Sequence, residues 1–372
     1  MSPVARRTPD LDLGIREEWL LPAAEPAEAR GGGRDDVRLL VQDLGSGAHG
    51  HGHFRDLPAL LRPGDLLVVN RSRTLPASLP VQADRGRLRV HVARRLARGV
   101  YRVEVRSEDG TAPTDPPPPG ARFRLETPEG RRLCLEVTGL ASPRSRQVVV
   151  RTVPRASLMP WMLRLGDPIR YAHVPGRWPL AAYQTIFAGP AGSAEMPSAA
   201  RPFTPRLLGD LRRRGVGLAV VTLHCGLSSE EVVGSLDEHE LFPEPYVVPP
   251  ATARAIAKTR AGGGRVVAVG TTVVRALESA CAGGVVSAGR GDAGAVLRPG
   301  VRPCAVDGLI TGLHAPRSSH LALLEAFIAP GPLRAAYLDA VARGYLWHEF
   351  GDVHLLLQRA VTATAAVCWT RR

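Results

Sequence analysis

The sequence predicts an α/β domain interrupted by a small all-β unit, and three observations carry that reading. Apolar runs of strand length, LLVV, LAVVTL, VVAV and AVDGLI, flank the middle of the chain, and helical stretches precede two of them. From about Leu79 to Thr152 the texture changes to short alternating strands. Each apolar run ends in polar or glycine-containing sequence, where a buried strand of an α/β sheet surfaces at a ligand site.

Taken in order, PAAEPAEARGGGR near the start reads as a loop. In GSGAHGHGHF, His49, His51 and His53 lie on a glycine-rich turn without nearby acid ligands, so they read as solvated loop residues and no metal is expected. The run LLVV ends at Asn70-Arg71-Ser72-Arg73. The all-β unit comprises LRVHVARRL, VYRVEVRS, RFRLETPEGRRLCLEVTGL and QVVVRTV, broken by SEDGTAPTDPPPPG and PEG turns. Its outward positions are often arginine, which suits a solvated or an RNA-facing surface equally. The helical pattern TPRLLGDLRRRG then leads into VGLAVVTLH, ending at His224, and ATARAIAKTRAGGG leads into RVVAVG. That strand stops at Gly270-Thr271-Thr272 and passes into an amphipathic stretch bearing Arg275 and Glu278. Around the last run stand Asp307, Thr311 through His314, Arg317 and Ser318. No internal repeat is evident.

A chain of 372 residues with 44% hydrophobic content buries a sizeable core, and its length suggests about two domains. No apolar run reaches the roughly 18 residues of a membrane span, and MSPVARRTPDLDL lacks the apolar centre of a signal peptide, so a soluble, cytoplasmic protein without a membrane partner is expected. The five cysteines are scattered, odd in number and form no CxxC pair, which points to free thiols rather than a disulfide framework or zinc site. The net charge of +13 favours a phosphate-bearing partner, RNA above all, although arginine-rich usage alone also produces it.

If the four runs are parallel neighbours, their polar ends share one pocket. Gly270 permits close backbone approach, the following amides at a helix start suit an anionic or carboxylate group, and Thr271 and Thr272 add hydroxyls. Arg275 and Glu278, three apart, share a helix face and equally form an exposed ion pair. His224 at a strand end reads as a satisfied core histidine or a catalytic one, and Cys225 beside it as a buried thiol.

The segments FRDLPALLRPGDLLVVN, AAYQTIFA, FTPRLLGDLRRRGVGLAVVTLHCGL, RVVAVGTTVVRALES, VDGLITGLHAPRSSHLALLEAF and FGDVHLLL resemble, in order from about Leu11 to Leu357, the S-adenosylmethionine:tRNA ribosyltransferase-isomerase family of the queuosine pathway. The resemblance implies a three-layer α/β/α sandwich-like main domain, 1–76 and 155–372, with a small β-barrel inserted at 77–154. It implies that S-adenosylmethionine is a co-substrate that donates its ribosyl group to a 7-aminomethyl-7-deazaguanine base in tRNA, with no other cofactor and with the chain acting as a monomer. On this reading His224 and His314 are the acid–base candidates and Asp307 orients or assists. Gly270, Thr271, Thr272, Arg275, Arg317, Ser318 and Asn70 hold the donor, Glu278 fixes Arg275, and Arg73 contacts RNA.

The chain also departs from the family's motifs. Where PTAGLHFT is usual it reads Pro197 to Thr204 with Pro202 in place of histidine. VNDTRV becomes Val69 to Thr74 with Arg71 in place of an acid. After His239 the second histidine of H-x-M-H is Phe242, with Glu244 kept, LHVGLGTF begins Leu223-His224-Cys225, and a usual asparagine near His314 is Gly312. These changes leave two alternatives open: a divergent member that gives S-adenosylmethionine a small-molecule acceptor or simply cleaves it, and a non-catalytic RNA-binding relic.

Overall fold

The computed structural model describes residues 13–84, 86–227, 242–294, 300–316 and 318–358. The chain forms two compact units, one of Met1–Arg71, Pro197–Leu223 and Glu231–Arg372, the other of Ser72–Met196 and His224–Glu230. No helix among the described residues is long and apolar enough to cross a membrane.

Among the described residues of the first unit a nine-stranded sheet runs in the order Gly289–Ala293, Glu244–Val248, Gly217–Leu223, Leu66–Asn70, Val266–Val269, Gly308–Gly312, Val353–Leu357, Arg38–Asp43 and His49–His53. The four apolar runs read from the sequence are four consecutive, mutually parallel neighbours in it. Strands covered on both faces lose the polar alternation of half-exposed ones, and LLVVN, VVAV and VHLLL are accordingly buried at every position. The expected helices precede their strands. Pro205–Arg213 is opened by Thr204, whose side chain accepts from the Leu207 N–H, and carries proline in its first turn; it leads into Gly217–Leu223. Pro250–Ala261 leads into Val266–Val269, and Thr271–Ser279 leaves it.

At the amino ends of the central strands, Asp65 accepts from Arg265 Nε at 3.1 Å and Nη2 at 2.5 Å and from the Arg62 N–H at 2.8 Å. Burial alone raises its pKa, but the Arg265 guanidinium and the Arg62 and Arg265 backbone N–H groups outweigh it and hold the carboxyl below its usual range. Asp307 belongs to the same end: its carboxylate accepts from the Val266 N–H at 2.8 Å, and its own N–H donates to the Val266 carbonyl at 2.7 Å. About 13 Å of strand, four residues at about 3.3 Å each, separates it from Thr311. The expectation of a catalytic Asp307 is therefore corrected, because its carboxylate fixes a strand edge at the end remote from the site.

His49, His51 and His53 are not loop residues. HGHGH is the edge strand of the sheet, antiparallel to Arg38–Asp43. Its glycines suggested a turn; pairing with a buried neighbour overrides that propensity.

The second unit contains a closed barrel of Ser78–Ala83, Gly86–Ala97, Val100–Arg106, Arg122–Glu126, Arg132–Leu140 and Val148–Val153. Alternation is clean in RFRLE, where Phe123 and Leu125 face the core and the arginines face out. Three arginines depart from the outward rule: Arg89, Arg102 and Arg106 are buried, Arg106 against the equally buried Glu104 at 3.0 Å and Arg89 against Asp167 at 2.6 Å. The unit also outgrows 77–154, because Leu158, Met162, Ile169 and Ala194 join the same buried cluster as the barrel strands.

Candidate functional site

In the first unit the four parallel strands end together at Asn70, Leu223, Val269 and Gly312. Ligands of α/β sheets sit beyond this rim. Gly270 follows at φ 100°, a conformation that a Cβ would strain, and its N–H donates to the Ile310 carbonyl at 2.7 Å. Its carbonyl accepts from the Val273 N–H, so it begins the helix Thr271–Ser279, and no side chain caps that start. The helix thus presents amides and the positive end of its dipole at the strand rim, an arrangement suited to a carboxylate. Thr271 is buried, and the Thr272 hydroxyl accepts from Asn70 Nδ2 at 3.3 Å. Asn70 is itself fully buried, its amide donating to the Leu223 carbonyl at 2.8 Å and its Oδ1 accepting from the Leu223 N–H at 3.1 Å. It joins two strands to the helix start, so its part in the site is to shape the rim.

Arg275 and Glu278 do not form the pair their spacing suggested. Arg275 Nη1 donates to Glu244 at 2.6 Å and Nη2 to the Ala293 carbonyl at 2.8 Å, tying the helix to the two strands at the sheet's edge. Glu278 accepts from the backbone N–H groups of Cys304 at 3.0 Å and Ala305 at 2.8 Å. The i,i+3 attraction is worth only about 0.2–0.5 kcal/mol, and charge-assisted hydrogen bonds to tertiary partners outcompete it.

At the neighbouring strand end, His314 Nε2 lies 2.6 Å from the Thr311 hydroxyl, and the ring stacks on His320 at 4.8 Å between centroids. Burial, then the neighbouring histidines His320, His354 and His348, push its pKa well below the usual value, so the imidazole is neutral near pH 7. Ser318 caps the helix Ser319–Leu324, its hydroxyl accepting from the Leu321 N–H at 3.2 Å. Arg317 lies outside the described residues, as does His239. The same helix ends at Glu325, which the sequence reading missed: both its carboxylate oxygens are buried without a hydrogen-bond partner among the described residues, and burial raises its pKa to about 7. A glutamate among leucines and alanines in a helical run gives no signal of this kind.

In the second unit His224 heads a hydrogen-bond relay. The Cys225 N–H donates to Ser193 Oγ at 3.0 Å, Ser193 Oγ donates to Ser72 Oγ at 2.6 Å, and Ser72 Oγ lies 2.7 Å from His224 Nδ1. The relay holds the imidazole through its Nδ1 edge. Burial lowers the pKa of this imidazole. Gly192, in a short strand parallel to Arg73–Thr74, is required here because a Cβ on it would come within 2.4 Å of the His224 ring. Cys225 is buried, as expected of a core thiol. The Arg73 side chain is exposed, while its N–H donates to the Pro190 carbonyl at 2.8 Å. Ser72 and Ser193 were not legible as a pair, since 121 positions separate them. At the motif departures, Pro202 is buried beside Phe203, whose ring packs edge-on against Phe54, and Arg71 Nε donates to the Thr222 hydroxyl at 3.2 Å.

Comparison with known proteins agrees with this architecture. A family model described as queuosine biosynthesis protein matches residues 18–356. The S-adenosylmethionine:tRNA ribosyltransferase-isomerase of an Anaeromyxobacter species is 40% identical over 348 residues, 92% of this chain and 98% of that protein. The protein of the same name from Thermus thermophilus is 36% identical, over 91% of this chain and 98% of its own. The crystal structure of S-adenosylmethionine tRNA ribosyltransferase from Thermotoga maritima superposes with a TM-score of 0.50 at 28% identity, covering 91% of this chain and 96% of that one.

Proposed function

The chain belongs to the queuosine biosynthesis protein family, and we propose from that premise that it transfers and isomerises the ribosyl group of S-adenosylmethionine onto a 7-aminomethyl-7-deazaguanine base in tRNA. The exocyclic amine of the base takes the ribosyl carbons, which rearrange to an epoxycyclopentanediol, and adenine and methionine leave. S-adenosylmethionine is consumed as a co-substrate, and no other cofactor is invoked.

The observation that carries this reading is the uncapped helix start at Gly270-Thr271-Thr272, set where four parallel strands end together. A donor with a free carboxylate fits those amides. The reaction needs proton removal beside the sulfonium, protonation or hydrogen bonding of departing adenine, and stabilisation of developing charge. His314, neutral because it is buried, is a base candidate. His224, its pKa also lowered by burial, is the other acid–base candidate. Arg275 acts through the shape of the helix and its edge strands rather than by pairing with Glu278.

The test is incubation of the chain with S-adenosylmethionine and tRNA bearing the aminomethyl base, followed by mass spectrometry of the digested tRNA. Epoxyqueuosine is expected, and His314→Ala is expected to cut its formation by roughly 100-fold or more. Undiminished turnover in that variant would remove His314 from the chemistry.

A further inference from the structure

At the far edge of the nine-stranded sheet, away from the ends of the parallel strands, a cluster of ligand-type side chains has no part in the proposed reaction. His49 and His51 stand two residues apart on the edge strand, so both side chains leave the same face. Between them comes Asp339 from the helix Pro330–Ala342, its Oδ2 3.2 Å from His49 Nε2 and 2.8 Å from His51 Nε2. The three candidate ligand atoms all lie within 4.8 Å of one another. Bonds of about 2.0–2.1 Å to a tetrahedral zinc ion set ligand atoms about 3.3 Å apart, close to the two histidine–aspartate distances.

We propose that His49, His51 and Asp339 form a site for a divalent transition-metal ion of the zinc class. The surrounding groups are those that orient such ligands. His51 Nδ1 lies 2.9 Å from the Tyr345 hydroxyl, which directs Nε2 toward the carboxylate, and Tyr345 is in turn covered by the Arg38 guanidinium at 4.2 Å from its ring centroid. Asp339 Oδ1 accepts from Arg343 Nε at 2.9 Å, leaving Oδ2 for the histidines. The Arg343 charge opposes a cation, and the two imidazoles with one carboxylate must outweigh it. The three side chains keep 22%, 23% and 33% exposure, so a fourth position is open to water or another ligand. Bound metal would fasten the edge strand to the helix beside it.

The full chain, stripped with chelator, is titrated with Co²⁺ and with Zn²⁺, and binding is read by the visible absorption of four-coordinate cobalt, by calorimetry and by thermal unfolding. One equivalent is expected to bind and to raise the melting temperature. Asp339→Asn, which keeps the shape of the side chain, and His49→Ala, at a part-exposed position, are each expected to weaken binding by roughly tenfold or more. Their melting temperatures without metal show whether either variant has lost its fold; a variant that has is set aside and the other decides. Absence of saturable binding, or binding of unchanged affinity in a folded variant, would show that the cluster is only a hydrogen-bonded histidine–aspartate group.

Discussion

At the residue scale, the relay behind His224 makes the most specific prediction. Ser72 and Ser193 are positioning residues: they hold the imidazole through contacts of 2.7 and 2.6 Å. Acid–base catalysis by an oriented side chain contributes about 10²–10⁴-fold, so Ser72→Ala is expected to lower turnover by roughly tenfold or more and to move the pH profile of kcat, with Ser72→Thr restoring both. An unmoved pH profile would mean that the serine only packs. A second prediction concerns acid stability. Burial depresses the pKa of His91 and His354 to about 3 and that of His314 well below its usual value. A depressed folded pKa contributes stability that is present above the unfolded value near 6.5 and lost as pH falls toward the folded one. Between pH 7.5 and 5 His91 and His354 therefore each lose about 2 kcal/mol, and His314 acts in the same direction. Glu325, raised from 4.5 to about 7, has the opposite sign and regains a comparable amount. The unfolding free energy should thus fall on acidification by a net of about 2 kcal/mol or more, read as a lower urea midpoint; a midpoint that rises would contradict the assigned burial. His224 and His314 were legible as residues at strand ends, whereas Ser72, Ser193 and Glu325 were not, because partners brought together by folding leave no local pattern.

At the element scale, the strands were the readable part. Continuous apolar runs named all four parallel neighbours, because strands buried on both faces have no polar alternation to hide them. The edge strand His49–His53 was missed for the reverse reason: glycine and histidine carry no strand signal, and only its register with Arg38–Asp43 defines it. Asp307 misled because proximity in sequence to a strand does not say at which end a side chain lies. The helix start yields a prediction. Gly270→Ala has ordinary space for its Cβ, the nearest atoms being Thr272 Oγ1 at 3.5 Å and the Ala199 Cβ at 3.6 Å, so the penalty comes from φ alone. A strained backbone of this sort costs about 1–3 kcal/mol. Calorimetry should show weakened S-adenosylmethionine affinity in this variant with the fold retained, and unchanged affinity would move the donor away from the helix start.

At the scale of the whole molecule, an α/β sheet and a β-barrel share one chain that leaves the first unit at Arg71 and returns to it at Pro197. The change of texture from apolar runs to alternation announced that interruption, while the extent of the second unit was set by packing of residues after the barrel, such as Leu158 and Met162, which periodicity does not mark. The net charge of +13 predicts salt-sensitive binding of tRNA. If about four phosphates are neutralised, the slope of log K against log salt is about −3, and affinity falls roughly 50-fold from 50 to 200 mM, measurable by fluorescence anisotropy. Salt-independent binding would leave the basic surface without a role. The central claim is that S-adenosylmethionine gives up its ribosyl carbons to tRNA on this protein. The most direct measurement follows isotope-labelled ribosyl carbons from the donor by mass spectrometry, with and without tRNA carrying the aminomethyl base. The account predicts equal amounts of free adenine and methionine, formed only with that tRNA, and the label on the base; release of adenine and methionine without it, or label found on any other acceptor, would contradict it.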